Sequence, residues 1–186
     1  HPETTKALHA VLTSRGSPGE ACRHAMFAAA SLASHRPVEP SLLESSFLST
    51  LVTYADHKDR RTRTDAMRTV SFLCMEAPRL LPRGSSDRMS LLSVVVRCGM
   101  STETLLQELA LLVLGLWSED LSLHSELVYA GALAPLVLAL NAPWEPPAPA
   151  PKGHLYGSRA LACIAIHSTY RSLIVEANAL PPLLRH

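Results

Sequence analysis

Along most of this chain apolar residues return every third or fourth position, in stretches set apart by short runs rich in Ser, Asp, Pro and Gly. Such spacing places the apolar side chains on one face of an α-helix. Nowhere do apolar and polar residues alternate in twos over a strand's length, so the pattern predicts helices without a sheet. Residues at the ends of the stretches set the expected limits. Ser17-Pro18-Gly19-Glu20 is a capping box with Pro at the first helical position, opening a helix to about Ser34. Ser41-Leu42-Leu43-Glu44 is a second box, for a helix to about Ala55. Thr62 or Thr64 can cap a helix ending before Pro78, Ser86 caps 87–98 with Gly99 closing it, and Ser101 caps 102–117. Helices over 121–130, 132–141, 156–168 and 170–177 follow, and Ala179 begins one more.

Two stretches 47 residues apart are nearly the same: Val128 to Val137 reads VYAGALAPLV and Val175 to Leu184 reads VEANALPPLL. Six of these ten positions are identical. Gly131 stands opposite Asn178, and Gly and Asn are the residues that most readily take the left-handed conformation closing a helix. A short helix should therefore end there and the chain turn sharply, with Pro135 and Pro182 in the first turn of the next helix. A second signature recurs four times. An Ala is followed by an apolar or small residue four later, a small one five later and usually a bulky one seven later. Its copies begin at Ala25, Ala66, Ala110 and Ala160, with separations of 41, 44 and 50 residues. Positions 0, +4 and +7 share a helical face, and the small +5 residue lets a second helix come close. The last interval is stretched by a Pro-rich insertion from Asn141 to Gly153. A helical repeat of roughly 40–47 residues points to the HEAT or armadillo class.

HSELVYAGALAPLVLAL (124–140) and YRSLIVEANALPPLL (170–184) resemble the junction of the short first helix and the second helix of an armadillo repeat. The Ala-signature segments resemble its long third helix. This likeness implies an all-α fold, a right-handed α-solenoid of about four repeats spanning roughly 1–36, 37–81, 82–119 and 120–169, with a fifth starting at 170–186. Before residue 60 HEAT-like helix pairs fit equally well. The family implies a non-enzymatic scaffold or adaptor, binding a protein partner along a groove lined by third helices. In importin-alpha-like and beta-catenin-like grooves a Trp two after the repeat Ala and an Asn six after it hold an extended peptide. Here the +2 residues are Phe27, Arg68, Leu112 and Ala162, and the +6 residues are Ser31, Phe72, Leu116 and Ile166. That departure speaks against cargo binding of the nuclear-import type. An apolar strip around Phe72, Leu116 and Ile166 suits a helix or peptide instead, although burial as plain core accounts for the same residues.

The remaining chemistry narrows the picture. Lys58, Arg60, Arg61, Arg63 and Arg68 fall within eleven residues, a candidate patch for phosphates or an acidic protein surface. Asp56, Asp59 and Asp65 partly neutralise it and no aromatic is interleaved, so a solvated loop explains it too. Trp144 in the insertion is a candidate anchor for a partner, or packs back on the chain's own helices. The nine His lack a Cys or carboxylate at ligand spacing, and no nucleophile motif or phosphate loop appears, so no metal, cofactor or catalytic set is expected. Net charge is +1, giving no global field for nucleic acid or an acidic membrane. Cys22, Cys74, Cys98 and Cys163 stand apart among apolar neighbours, which fits an intracellular, reducing compartment, the cytoplasm first, with nucleus or organelle open. No apolar run reaches the roughly 18 residues of a membrane span. The chain begins at His1, shows no signal peptide, and leaves Leu183 and Leu184 calling for a covering helix, so it is expected to be a piece of something longer. Two other roles stay open: a peripheral subunit of a ribonucleoprotein, and an accessory domain of a larger enzyme.

Overall fold

The computed structural model describes residues 2–14, 19–35, 37–76, 86–144 and 150–184. Among them there are helices and turns and no strand. Eleven α-helices run in order: α1 Pro2–Thr13, α2 Gly19–Ser34, α3 Ser45–Ala55, α4 Arg60–Glu76, α5 Ser86–Gly99, α6 Thr104–Ser118, α7 His124–Tyr129, α8 Leu133–Leu140, α9 Lys152–Ile164, α10 Ser168–Glu176 and α11 Leu180–Leu183. They fall into two compact units, His1–Val94 and Val95–His186, with the boundary inside α5.

In the first unit α4 packs against both α2 and α3, and α1 lies on α2. The contact surface is the Ala ridge: Ala25 and Ala29 on α2, and Ala66, Val70 and Leu73 on α4, are all buried. Polar ties fix α1 to α3. The Tyr54 hydroxyl donates to the Leu12 carbonyl at 2.9 Å, and His9 Nε2 lies 3.2 Å from Thr50 Oγ1. In the second unit α9 packs against α6 and α8. Small residues make that approach possible. A Cβ on Gly115, the +5 residue of α6, would lie 3.8 Å from the Tyr156 carbonyl oxygen of α9. A Cβ on Gly157 would lie 3.0 Å from the Leu136 oxygen of α8, closer than an ordinary van der Waals contact.

The two near-identical stretches build the same corner twice. Gly131 has φ +84° and Asn178 has φ +62°, both left-handed. After α7 the Gly131 N–H donates to Val128 and the Ala132 N–H to Leu127; after α10 the Asn178 N–H donates to Val175 and the Ala179 N–H to Ile174. This is the Schellman pattern, which satisfies carbonyls that a helix end would leave without partners. The axis bends by 89° between Leu121–Tyr129 and Leu133–Leu140. Pro135 and Pro182 then sit at the third positions of α8 and α11, in the first turn as expected.

Several boundaries differ from the sequence reading. The Ser17–Pro18 half of the first box lies outside the described residues, although the helix it was to open is there. Ser41 lies inside a 3-10 turn, Pro40–Leu43, that Glu39 precedes, and α3 begins after Glu44, whose extended backbone (ψ 142°) interrupts the helix. Neither Thr62 nor Thr64 caps α4. Asp59 does: its carboxylate accepts from the Thr62 N–H at 2.8 Å and the Thr62 hydroxyl at 2.7 Å, and a carboxylate is the better acceptor at a helix start. Ser101 bonds the Glu103 N–H instead of opening the helix, so α6 starts at Thr104. α9 begins at Lys152, inside the expected insertion, because Gly153 and His154 are buried against neighbouring helices and so belong to the packed body.

Gly131→Ala forces a Cβ into the left-handed region and should cost about 1 kcal/mol in urea unfolding, whereas Asn178→Gly should be neutral or slightly stabilising. Gly157→Ala gains helix propensity but drives a Cβ towards the Leu136 carbonyl, so a net loss of about 1–3 kcal/mol is expected. An unchanged unfolding midpoint for Gly157→Ala would show that α8 and α9 are not this close.

Candidate functional site

A helix advances about 100° per residue, so the +2 and +6 positions lie roughly opposite the buried Ala ridge. The structure places the candidates accordingly, one set in each unit. On α2, Phe27 is 58% exposed and Ser31 half-buried, its hydroxyl donating to the Phe27 carbonyl. On α4, Arg68 and Phe72 are half-buried. In the second unit Leu112 and Leu116 of α6 are half-buried, Ala162 of α9 is exposed, and Ile166, just past the end of α9, is 60% exposed. None of the named groove residues is fully buried.

Reading the +2 and +6 positions alone missed two apolar residues. Leu105 on α6 and Leu155 on α9, 45% and 61% exposed, lie five before Ala110 and Ala160. A step of −5 returns to the same helical face, so the signal was there in the periodicity. They lengthen the second unit's strip to Leu105, Leu112 and Leu116 beside Leu155, Ala162 and Ile166. Arg159 on α9 reaches Glu119 just after α6 at 2.7 Å, tying the two helices together across partly exposed side chains. The same −5 step on α4 gives Arg61. The two units therefore present different chemistry on this face: Phe and Arg in the first, aliphatic side chains in the second.

Two cations of the basic run bind oxygens of this protein in plain view. Arg63 donates to the His57 carbonyl at 2.8 Å and the Lys58 carbonyl at 3.3 Å, bracing the loop before α4. Arg68 pairs with Asp65 at 2.5 Å. Lys58, Arg60 and Arg61 are exposed. Bonds from Thr62 hold the Asp59 carboxyl below its ordinary range, with Arg23 and His57 adding to the effect. Burial pushes the Asp65 carboxyl up, and Arg68 opposes that rise. Trp144 packs back: it meets His154 edge-on, ring centroids 6.1 Å apart, while His154 Nε2 lies 3.1 Å from the Ala142 carbonyl. Among the described residues no disulfide joins the four cysteines, and no three His, Cys, Asp or Glu side chains come together to hold a metal ion. No single described helix is long and apolar enough to cross a membrane.

Against known protein families and curated proteins the chain has no match. Solved structures do resemble it. A designed armadillo repeat protein in complex with the peptide (KR)4 superposes over 96% of this chain and 72% of its own, at a TM-score of 0.76 and 22% identity. Computationally designed armadillo repeat proteins for modular peptide recognition match over 99% and 73%, at 0.75 and 20%. An engineered protein matches over 98% and 71%, at 0.76 and 20%. The chain has an all-α, armadillo-like fold. At this level of identity the likeness speaks for the fold alone.

Asp59 adds stability that is fully present above the ordinary carboxylate range and lost as the pH falls through its depressed value. Asp65 acts in reverse: it favours the native state at low pH, and that contribution is lost as the pH rises through its raised value. NMR titration should place Asp59 below and Asp65 above the usual carboxylate midpoint. Thr62→Val should return Asp59 towards that midpoint, and Arg68→Met should move Asp65 higher still. A stationary Asp65 midpoint in Arg68→Met would mean the ion pair does not form in solution.

Proposed function

We propose that this chain is a non-enzymatic protein-interaction scaffold or adaptor, a component of a larger protein or assembly. Its contact surface is the face of the signature helices opposite the Ala ridge. The observation that carries this reading is the set of exposed apolar side chains, Leu105 on α6, Leu155 on α9 and Ile166 just past α9, opposite the buried ridges of these helices. Single exposed apolar residues are ordinary, but several aligned on one face mark an interaction site. Structures of the same fold include one holding a peptide. Here the face lacks a ladder of Asn, so main-chain capture of an extended peptide is disfavoured. Aliphatic contacts suit the apolar side of a partner helix or peptide better. Division into repeats of roughly 1–36, 37–81, 82–119 and 120–169 belongs to the same proposal, as does an intracellular, reducing setting for four cysteines that form no disulfide.

A photo-crosslinking residue placed at Leu155 or Ile166 should label the natural partner in cell extract, and the same residue at exposed Ser49 of α3 should not. Leu155→Glu and Ile166→Glu, both on exposed positions, should each weaken that partner's binding at least tenfold, about 1.4 kcal/mol, without shifting the unfolding transition. Equal labelling from α3 and α9 would refute the assignment of the face.

A further inference from the structure

We infer that the outward face of α11 takes a helix of the α9 kind from a partner protein, a contact beyond the face proposed above. The chain's own duplication points to the occupant. The corner between α7 and α8 and the corner between α10 and α11 share a left-handed residue, Gly131 or Asn178, and the same pair of N–H donations around it. Their inner residues are packed alike: Leu127 and Ile174 are buried, as are Ala132 with Ala179 and Pro135 with Pro182. Their outer residues are not. Leu133, Leu136 and Val137 are 9%, 1% and 9% exposed, whereas the matching Leu180 and Leu184 are 44% and 84% exposed and Leu183 is half-buried.

The helix that chiefly covers the first copy is α9, packed on α8. Pro135 faces back towards the end of α5, where a Cβ on Gly99 would lie 2.8 Å from its own Cβ. The Leu136 carbonyl faces α9, and Gly157 comes so near that a Cβ there would lie 3.0 Å from the oxygen. The packed face of α9 carries Gly157 and then Ala160, Leu161 and Ile164, three, four and seven residues later, all buried. Leu180, Leu183 and Leu184 are spaced to share one face of a helical turn, so they suit a crossing helix. A partner helix with the α9 order sets its Gly over the Leu183 carbonyl and lays aliphatic side chains on Leu180 and Leu184, taking their apolar area out of water. An extended peptide is the weaker fit, because this corner offers no sheet edge for its main chain.

The test uses a fluorescein-labelled peptide copying Pro151–His167, read by anisotropy against the 186-residue chain. The peptide should bind saturably. Leu180→Asp and Leu184→Asp in the chain should each weaken it about tenfold or more, and Gly157→Leu in the peptide should do the same, with the chain's circular dichroism and unfolding midpoint unchanged. Ala160→Pro in the peptide should abolish binding, because proline breaks the helix. The proposal fails if the peptide does not bind, or if the proline peptide binds equally well. It fails too if Leu184→Asp leaves the affinity unchanged, the result expected of a peptide that trades places with α9. A chain that sediments as a dimer, split by Leu184→Asp, would make a second copy the occupant and overturn the partner assignment. Any of these failures, with crosslinking at Leu155 and Ile166 intact, would remove this inference and leave the scaffold reading in place.

Discussion

Close approach of helices through small side chains is the constraint on which this protein depends. α2 and α4 pack together and bury Ala25, Ala29 and Ala66, and Gly115 on α6 lets the backbone of α9 come near. A short side chain there brings two ridges into contact and removes apolar area from water along the whole length of both helices, at about 25 cal/mol per Å². A helix of this kind is not stable alone, since isolated helices of ten to fifteen residues are marginal in water. Each one gains its stability from the neighbour that covers its Ala ridge, which is the logic of a repeat protein.

That constraint leaves the opposite side of each signature helix outside the packed ridge. Side chains there can vary in chemistry while the core positions stay small or aliphatic. The two units show this freedom: α2 and α4 carry Phe27, Arg61 and Phe72, while α6, α9 and the residues just after α9 carry Leu105, Leu112, Leu116, Leu155 and Ile166. Polar groups on the structural side are instead tied down locally. The His124 Nε2–H donates to the Ser118 carbonyl at 2.7 Å, and Arg171 donates to the Ala165 carbonyl at 2.8 Å past the end of α9. Such bonds satisfy carbonyls that a helix end leaves without a partner in the helix.

Much of the fold was legible because it is written in local chemistry. Gly131 and Asn178 announce left-handed corners by residue type alone, and the Ala spacing announces buried ridges by period. Residues on the candidate site were legible in part. The +2 and +6 positions follow from the period, and so would Leu105 and Leu155 have done, had the −5 step been taken. Helix starts were harder. Asp59 and Thr62 both have capping side chains, and only the local backbone decides which oxygen meets which N–H.

The sequence by itself determined that the chain is helical, where its two sharp corners fall and which face of each signature helix is buried. These are set by φ preferences and by a 3.6-residue period, both properties of a few neighbouring residues. Tertiary structure alone decided that α9 starts at Lys152, that Trp144 lies against His154, and that Arg63 and Arg68 bind the protein's own oxygens while Lys58 and Arg61 face outward. Those outcomes depend on which surfaces meet across tens of residues of chain, and no local spacing carries that information.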